Sequence, residues 1–256
     1  MRGNRGNRFA QPPGSAASIM SDSSPSRIGL LASGGLDSCI LLGRLLDEGR
    51  EVQPFYVRAG LVWETAELAT LGRFLDCMAG WHWPAKSASA GGARLAPLVT
   101  LQMPLDDLYG SLHGGHWSLT GRGVPDDGTP DEAVYLPGRN ALLAIKPLLW
   151  CQMHGISQLA LGALRSNPFP DATAEFFAAF QSALSRAVGA KLEIVRPLGS
   201  LDKTEVMRLG RGYPLEHTFS CIAPADGLHC GRCNKCGERK SAFRSADMAD
   251  PTRYAH

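Results

Sequence analysis

An apolar run, Arg27-Ile28-Gly29-Leu30-Leu31-Ala32, stops at Ser33-Gly34-Gly35, and apolar residues then recur at helical spacing from Asp37 to Glu48, closed by Gly49. This is the pattern of a strand, a glycine loop and a helix. It repeats along the chain: Val52 to Val57 predicts a strand, Glu64 to Met78 a helix and Leu98 to Met103 a strand. After Pro137-Gly138-Arg139-Asn140 the spacing predicts a helix to His154, a strand from Gln158 to Leu164, a helix from Asp171 to Val188 and a strand from Leu192 to Pro197. Strands that alternate with helices predict an α/β fold, a doubly wound and mostly parallel sheet with helices on both faces.

A loop that leaves a strand and opens a helix turns free backbone N–H groups toward whatever lies over the helix N-terminus, and the helix dipole adds partial positive charge. Phosphate is the natural guest. Gly34 and Gly35 allow a close backbone approach, Ser33 and Ser38 offer hydroxyls, and Asp37 can hold a divalent cation. No Lys follows the glycines, so this is neither the G-x-x-x-x-G-K-[ST] loop nor G-x-G-x-x-G. Ser33-Gly34-Gly35-Leu36-Asp37-Ser38 resembles instead the S-G-G-x-D-S signature of ATP pyrophosphatases, which split ATP into AMP and pyrophosphate while adenylylating a substrate. Arg139 can pair bidentately with phosphate and Lys203, in Asp202-Lys203-Thr204-Glu205, can neutralise a triphosphate. A solvated charge at a helix end is the competing reading of each taken alone.

Of seven cysteines, four lie between Cys221 and Cys236. The spacing Cys221-x8-Cys230-x2-Cys233-x2-Cys236 offers four thiolates around one tetrahedral ion, with turns at Gly231 and Gly237. A structural zinc is expected; an iron–sulfur cluster is the alternative. His217, before the set, and His229, beside Cys230, are expected at the surface or in support of the thiolates, and Cys39, Cys77 and Cys151 are expected as core thiols. An odd count with this crowding does not fit a disulfide framework, so a reducing, cytoplasmic setting is expected.

The divisions expected are a disordered tail over residues 1–26, or a true start at Met20, then an α/β domain over 27–200 and a small zinc-binding subdomain over 201–256. Leu105 to Ala133, without periodicity, is expected to be a functional lid or a mobile loop. A net charge of +2 gives no reason to expect nonspecific binding to nucleic acid, and no apolar run approaches membrane-spanning length.

In chain order, S-G-G-x-D-S, P-G-R-N, D-K-T-E and C-x8-C-G-x-C-x2-C are similar to the 7-cyano-7-deazaguanine synthase family of the queuosine pathway, from about Arg27 to Arg244. The resemblance implies an adenine nucleotide alpha hydrolase-like fold and a two-stage reaction. ATP adenylylates the acid of 7-carboxy-7-deazaguanine, ammonia gives the amide, and a second activation dehydrates it to the nitrile. It also implies structural zinc, magnesium with ATP, catalytic roles for Asp37, Arg139 and Lys203, and Ser33 to Ser38 as the ATP loop. A heterocyclic carboxylate and ammonia are then the partners, a homodimer is compatible, and neither membrane nor nucleic acid is expected.

One segment departs from the family. Where members carry an acidic residue and Ser-Gly-Tyr-Pro-Asp-Cys-Arg at the deazapurine pocket, this chain reads Leu164-Arg165-Ser166-Asn167-Pro168-Phe169-Pro170-Asp171-Ala172-Thr173. Phe169 and Asp171 match in kind and are the substrate-binding candidates, against a reading in which Asp171 caps a helix beside a packed Phe169. Two further functions stay open: an ATP-using relative that activates another carboxylate, a protein C-terminus or a tRNA base for thiolation, and a non-catalytic zinc module binding nucleic acid through Arg232, Lys235, Arg239, Lys240 and Arg244.

Overall fold

The computed structural model describes residues 27–81, 94–111 and 115–256; the expected tail over 1–26 and the alternative start at Met20 lie outside them. Strand β1 (Arg27–Leu31) is paired in parallel with β2 (Glu51–Arg58) on one side and β5 (Gln158–Ala160) on the other. β6 (Glu193–Val195) extends the sheet beyond β5. The far edge is divided into β3 (Arg94–Leu95) and β4 (Val99–Gln102), both parallel to β2.

That division has a local cause. A single edge strand over Leu98 to Met103 is expected, yet pairing stops between the partners Val52 and Leu95 and resumes at Phe55 and Val99. Pro54 sits in the gap and has no N–H to give to the ladder. Gln53 fills part of the space, its Nε2 donating to the Pro97 carbonyl at 2.8 Å. β5 and β6 are also shorter than the strands expected at Gln158 to Leu164 and Leu192 to Pro197, because the chain leaves the sheet to build the loops above it.

Helices cover both faces, as the alternation requires. α1 (Leu36–Asp47) and α2 (Glu64–Ala79) pack Leu42, Leu46, Leu71 and Phe74 onto the face carrying Ile28, Leu30 and Val52. α5 (Arg139–Met153) and α6 (Ala174–Val188) cover the opposite face, where Leu148, Cys151 and Phe177 meet Phe55 and Leu159. Gly29 is required beneath α5, since a Cβ there would stand 2.6 Å from Cys151 Sγ.

α7 (Lys203–Leu209) and α8 (Asn234–Ser245) carry the C-terminal chemistry, but Val206, Met207, Ala242 and Phe243 belong to the same buried cluster as α1 and α2. The change at residue 200 is therefore one of chemistry within a shared core. The Leu105 to Ala133 segment forms short helices α3 (Asp106–Tyr109) and α4 (Trp117–Thr120), and it is fastened to the cysteine region. Asp127 N donates to Arg232 O at 3.0 Å, Asn234 N to Pro125 O at 2.9 Å, and Asn234 Nδ2 to Thr129 O at 2.8 Å. Its described residues form a packed wall, with Tyr109 and Ser118 buried, which replaces the mobile-loop half of the expectation and leaves the lid as the other.

Among the described residues no helix is long and apolar enough to cross a membrane.

Candidate active site

The sheet order β3-β2-β1-β5-β6 reverses direction at β1 and β5, and a crevice opens beyond the C-terminal ends of strands at such a switch point. Ser33 to Ser38 leave β1 there and Gly162 follows β5. The cleft above them has a volume of about 320 Å³.

Gly35 precedes α1 with no side chain capping it, so the first N–H groups of that helix have no side-chain competitor for an anion. Gly34 adopts φ +76°, in the left-handed region, and its carbonyl accepts from Phe219 N at 2.7 Å, which anchors the loop from the C-terminal region. The hydroxyls of Ser33 and Ser38 stand 3.1 Å apart. A Cβ at Gly162 would lie 3.2 Å from Ser38 N, so a larger residue would press on the helix start.

Lys203 and Asp37 are 166 residues apart in sequence and meet here, with Lys203 Nζ 2.9 Å from Asp37 Oδ1 and 2.8 Å from Oδ2. The D-K-T-E segment explains the placement: Asp202 and Glu205 form a reciprocal capping box that fixes Lys203 as the first residue of α7. Lys203 also reaches Glu238 Oε1 at 3.0 Å, and Glu238 Oε2 accepts from Lys235 at 2.7 Å. Burial works against the Lys203 ammonium, but the Asp37 and Glu238 carboxylates outweigh it and hold its pKa above the usual lysine value. Burial likewise opposes the Glu238 charge, yet Lys203 and Lys235 bring that carboxyl down to about 2. Glu238 and Lys235 carry no motif around the D-K-T-E segment, and only the packing of α7 on α8 reveals them.

Arg139 opens α5 after Gly138 in the left-handed conformation. Its guanidinium lies 5.9 Å from the Trp63 ring centre and forms no ion pair among the described residues, and its buried Nε has no hydrogen-bond partner. Such a cation is free to take an anionic ligand.

Phe169 lines the cleft and stacks on Tyr135 with ring centres 5.1 Å apart, while Trp63 and Trp117 form a second stacked pair at 5.9 Å on the cleft wall. Asp171 is outside that lining. It is buried, its Oδ2 accepting from Asn140 N at 2.9 Å and its Oδ1 from Asn140 Nδ2 at 3.1 Å. The carboxylate therefore secures the start of α5, beside Arg139. Contrary to the expected helix from Asp171, the cap of α6 is Thr173, which accepts from Phe176 N at 3.1 Å. The short helical turn Pro170–Ala172 precedes it, and Arg196 donates to Ala172 O at 3.2 Å.

The four cysteine sulfurs of the C-terminal cluster are all buried and lie within 4.8 Å of one another. Cys221 to Cys233 and Cys230 to Cys236 are each 3.9 Å apart. Four sulfurs at about 2.3 Å from one zinc ion stand about 3.8 Å apart, so the donor set fits a closed tetrahedral site. Backbone N–H groups of Ala223 and Cys230 reach Cys221 Sγ, each at 3.3 Å, as thiolate acceptors require. His229 is no surface residue: it is buried, its Nε2 accepts from Ser220 N at 3.1 Å, and burial reinforced by Arg239 lowers its pKa to about 3. Cys39 and Cys151 are core thiols as expected, whereas Cys77 is only half-buried.

The family model described as Queuosine biosynthesis protein QueC matches residues 97–247. A 7-cyano-7-deazaguanine synthase of Syntrophobacter fumaroxidans is 32% identical, covering 88% of this chain and 94% of that protein. Those of Solidesulfovibrio magneticus and Saccharophagus degradans are 31% and 32% identical, covering 92% and 89% of this chain and 98% and 97% of theirs. A solved 4-thiouridine synthetase in complex with RNA and ATP superposes with a TM-score of 0.43 at 16% identity, over 87% of this chain and 50% of that one, too distant to add to the assignment. With relatives at this identity aligned along nearly their whole length, the chain belongs to the QueC family of queuosine biosynthesis, whose members compared above are named 7-cyano-7-deazaguanine synthase.

Proposed function

We propose that this ATP-dependent ligase converts 7-carboxy-7-deazaguanine and ammonia to 7-cyano-7-deazaguanine, activating first the carboxylate and then the amide as adenylates. The convergence of the Ser33 to Ser38 loop, Lys203 and Arg139 on one cleft carries the reading. The loop N–H groups and the two cations would hold the triphosphate, and Asp37 would hold magnesium with it. Positioning and charge stabilisation can then supply most of the rate, since AMP is a good leaving group and no protein nucleophile is required. Phe169 would stack on the heterocycle. Asp171 would act on the site through the start of α5. Cys221, Cys230, Cys233 and Cys236 would hold a structural zinc.

A thiolating relative would need a reactive cysteine outside the cluster. Burial pushes the Cys39 thiol far above its ordinary range and Cys151 up to about 12, and no cysteine lines the cleft. A nucleic-acid module would need free cations on α8. Arg239 is 2% exposed, Lys235 is held by Glu238 and Lys240 donates to Gly231 O at 2.6 Å, which leaves Arg232 and Arg244 as the exposed members of the five. Reduced thiols fit a cytoplasmic setting.

The test is incubation with ATP, ammonium and 7-carboxy-7-deazaguanine, with mass spectrometry of the heterocycle and assay of AMP. Nitrile with AMP is expected; absence of both overturns the reading.

A further inference from the structure

The cleft holds one acidic group that the ATP reading leaves without a task. Glu67, in the first turn of α2, lines the cleft and is only 9% exposed. Its Oε2 accepts a 2.6 Å hydrogen bond from the Tyr56 hydroxyl, and among the described residues no hydrogen bond reaches Oε1. It lies directly against the phosphate loop: a Cβ at Gly34 would stand 3.3 Å from both Glu67 Cγ and Glu67 O. A carboxyl tethered by one oxygen, open on the other and set beside the ATP loop has the placement of a proton acceptor.

Resting on the function proposed above, we propose that Glu67 is the general base of the nitrogen steps. When ammonia adds to the carbonyl carbon of the acyl-adenylate, Glu67 takes one proton from nitrogen as the bond to AMP oxygen breaks. In the second stage the amide oxygen attacks the α-phosphorus of ATP and displaces pyrophosphate, and an N–H proton is lost to the carboxylate. Glu67 passes that proton to solvent and removes the second N–H proton as the C–O bond breaks, which gives the nitrile and AMP. The first adenylylation has no such need, because the carboxylate substrate is already deprotonated.

The groups facing Glu67 suit this role. Burial raises its pKa to about 7, the hydrogen bond from Tyr56 on β2 and the charge of Arg139 on α5 pull the other way, and Glu64 on α2 pushes up; the Cys39 thiol on α1 stays neutral beside it. A base near neutrality is half-available at working pH and binds its proton firmly enough to take it from nitrogen.

The experiment follows nitrile formation from 7-amido-7-deazaguanine and ATP, which removes the titration of ammonia from the profile, alongside pyrophosphate exchange into ATP driven by the carboxylate. For Glu67→Gln the expected result is a loss of about 100-fold or more in nitrile formation, exchange within a few-fold of wild type, and disappearance of the rise in kcat/KM through pH 7. Tyr56→Phe removes a bond that favours the charged carboxyl, so its rise moves to higher pH; this readout does not depend on Glu67→Gln folding. Wild-type rate and profile in Glu67→Gln, or an unmoved profile in Tyr56→Phe, overturns the role of Glu67 alone. Failure of the wild-type protein to form nitrile overturns the functional reading and the role together.

Discussion

The loop over Ser33 to Ser38 and the cysteine cluster are both built on glycine turns, yet they are finished differently. At the loop, α1 begins without a side-chain cap, Arg139 forms no ion pair among the described residues, and Lys203 is held by the carboxylates of Asp37 and Glu238. At the cluster, every sulfur is buried and the surrounding chain closes over it: Gly231 lies so near the C-terminus that a Cβ would stand 2.5 Å from His256 O. Among the described residues one buried polar atom lacks a partner on each side, Arg139 Nε at the cleft and Asn234 Oδ1 beside Cys233, so the difference lies in access: the loop opens on a cleft and the sulfurs are enclosed. The two are mechanically joined, since Phe219 N, two residues before Cys221, holds the Gly34 carbonyl.

The largest effect separating the two is expected at the cluster. Cys233→Ser should release metal and cost more than about 4 kcal/mol of stability, read by metal analysis and denaturant unfolding. Retained metal and stability would break the contrast from that side. Asp37→Asn should leave unfolding within about 1 kcal/mol of wild type but lower ATP turnover by about 100-fold, measured by pyrophosphate release. A comparable loss of stability would mean that the loop, too, is structural.

The join is tested by Arg239→Met. The Arg239 guanidinium donates to Ser220 Oγ at 3.2 Å, Leu215 O at 3.1 Å and Thr252 Oγ1 at 2.6 Å, tying the chain before the cluster to the C-terminal residues. Loss of these bonds should cost about 2–3 kcal/mol and weaken ATP binding several-fold, as calorimetry would show. Unchanged ATP affinity would uncouple the two regions.

The smallest effect concerns Glu238. Its carboxyl is lowered to about 2 in the folded chain, so its contribution is fully present above the ordinary carboxylate pKa and is lost as pH falls through about 2. The difference in thermal midpoint between wild type and Glu238→Gln should correspond to about 1 kcal/mol at pH 6 and shrink toward pH 3. A difference that grows on acidification would reverse the sign and contradict the pairing.

Much of this was legible in the chain itself. Periodicity and punctuation determined the α/β alternation, the loop after β1 and the four-cysteine set, because each depends on residues close in sequence. The D-K-T-E segment even carried its own geometry, a capping box that places Lys203. Tertiary structure alone decided that Lys203 meets Asp37, that Asp171 serves α5 while Thr173 caps α6, that the described residues of Leu105 to Ala133 form a wall, and that Glu67 faces the cleft. These outcomes depend on which helix faces pack together and how far each strand runs before it leaves the sheet. Hydrophobic burial sets such distances through many weak, nondirectional contacts, and no short motif records them.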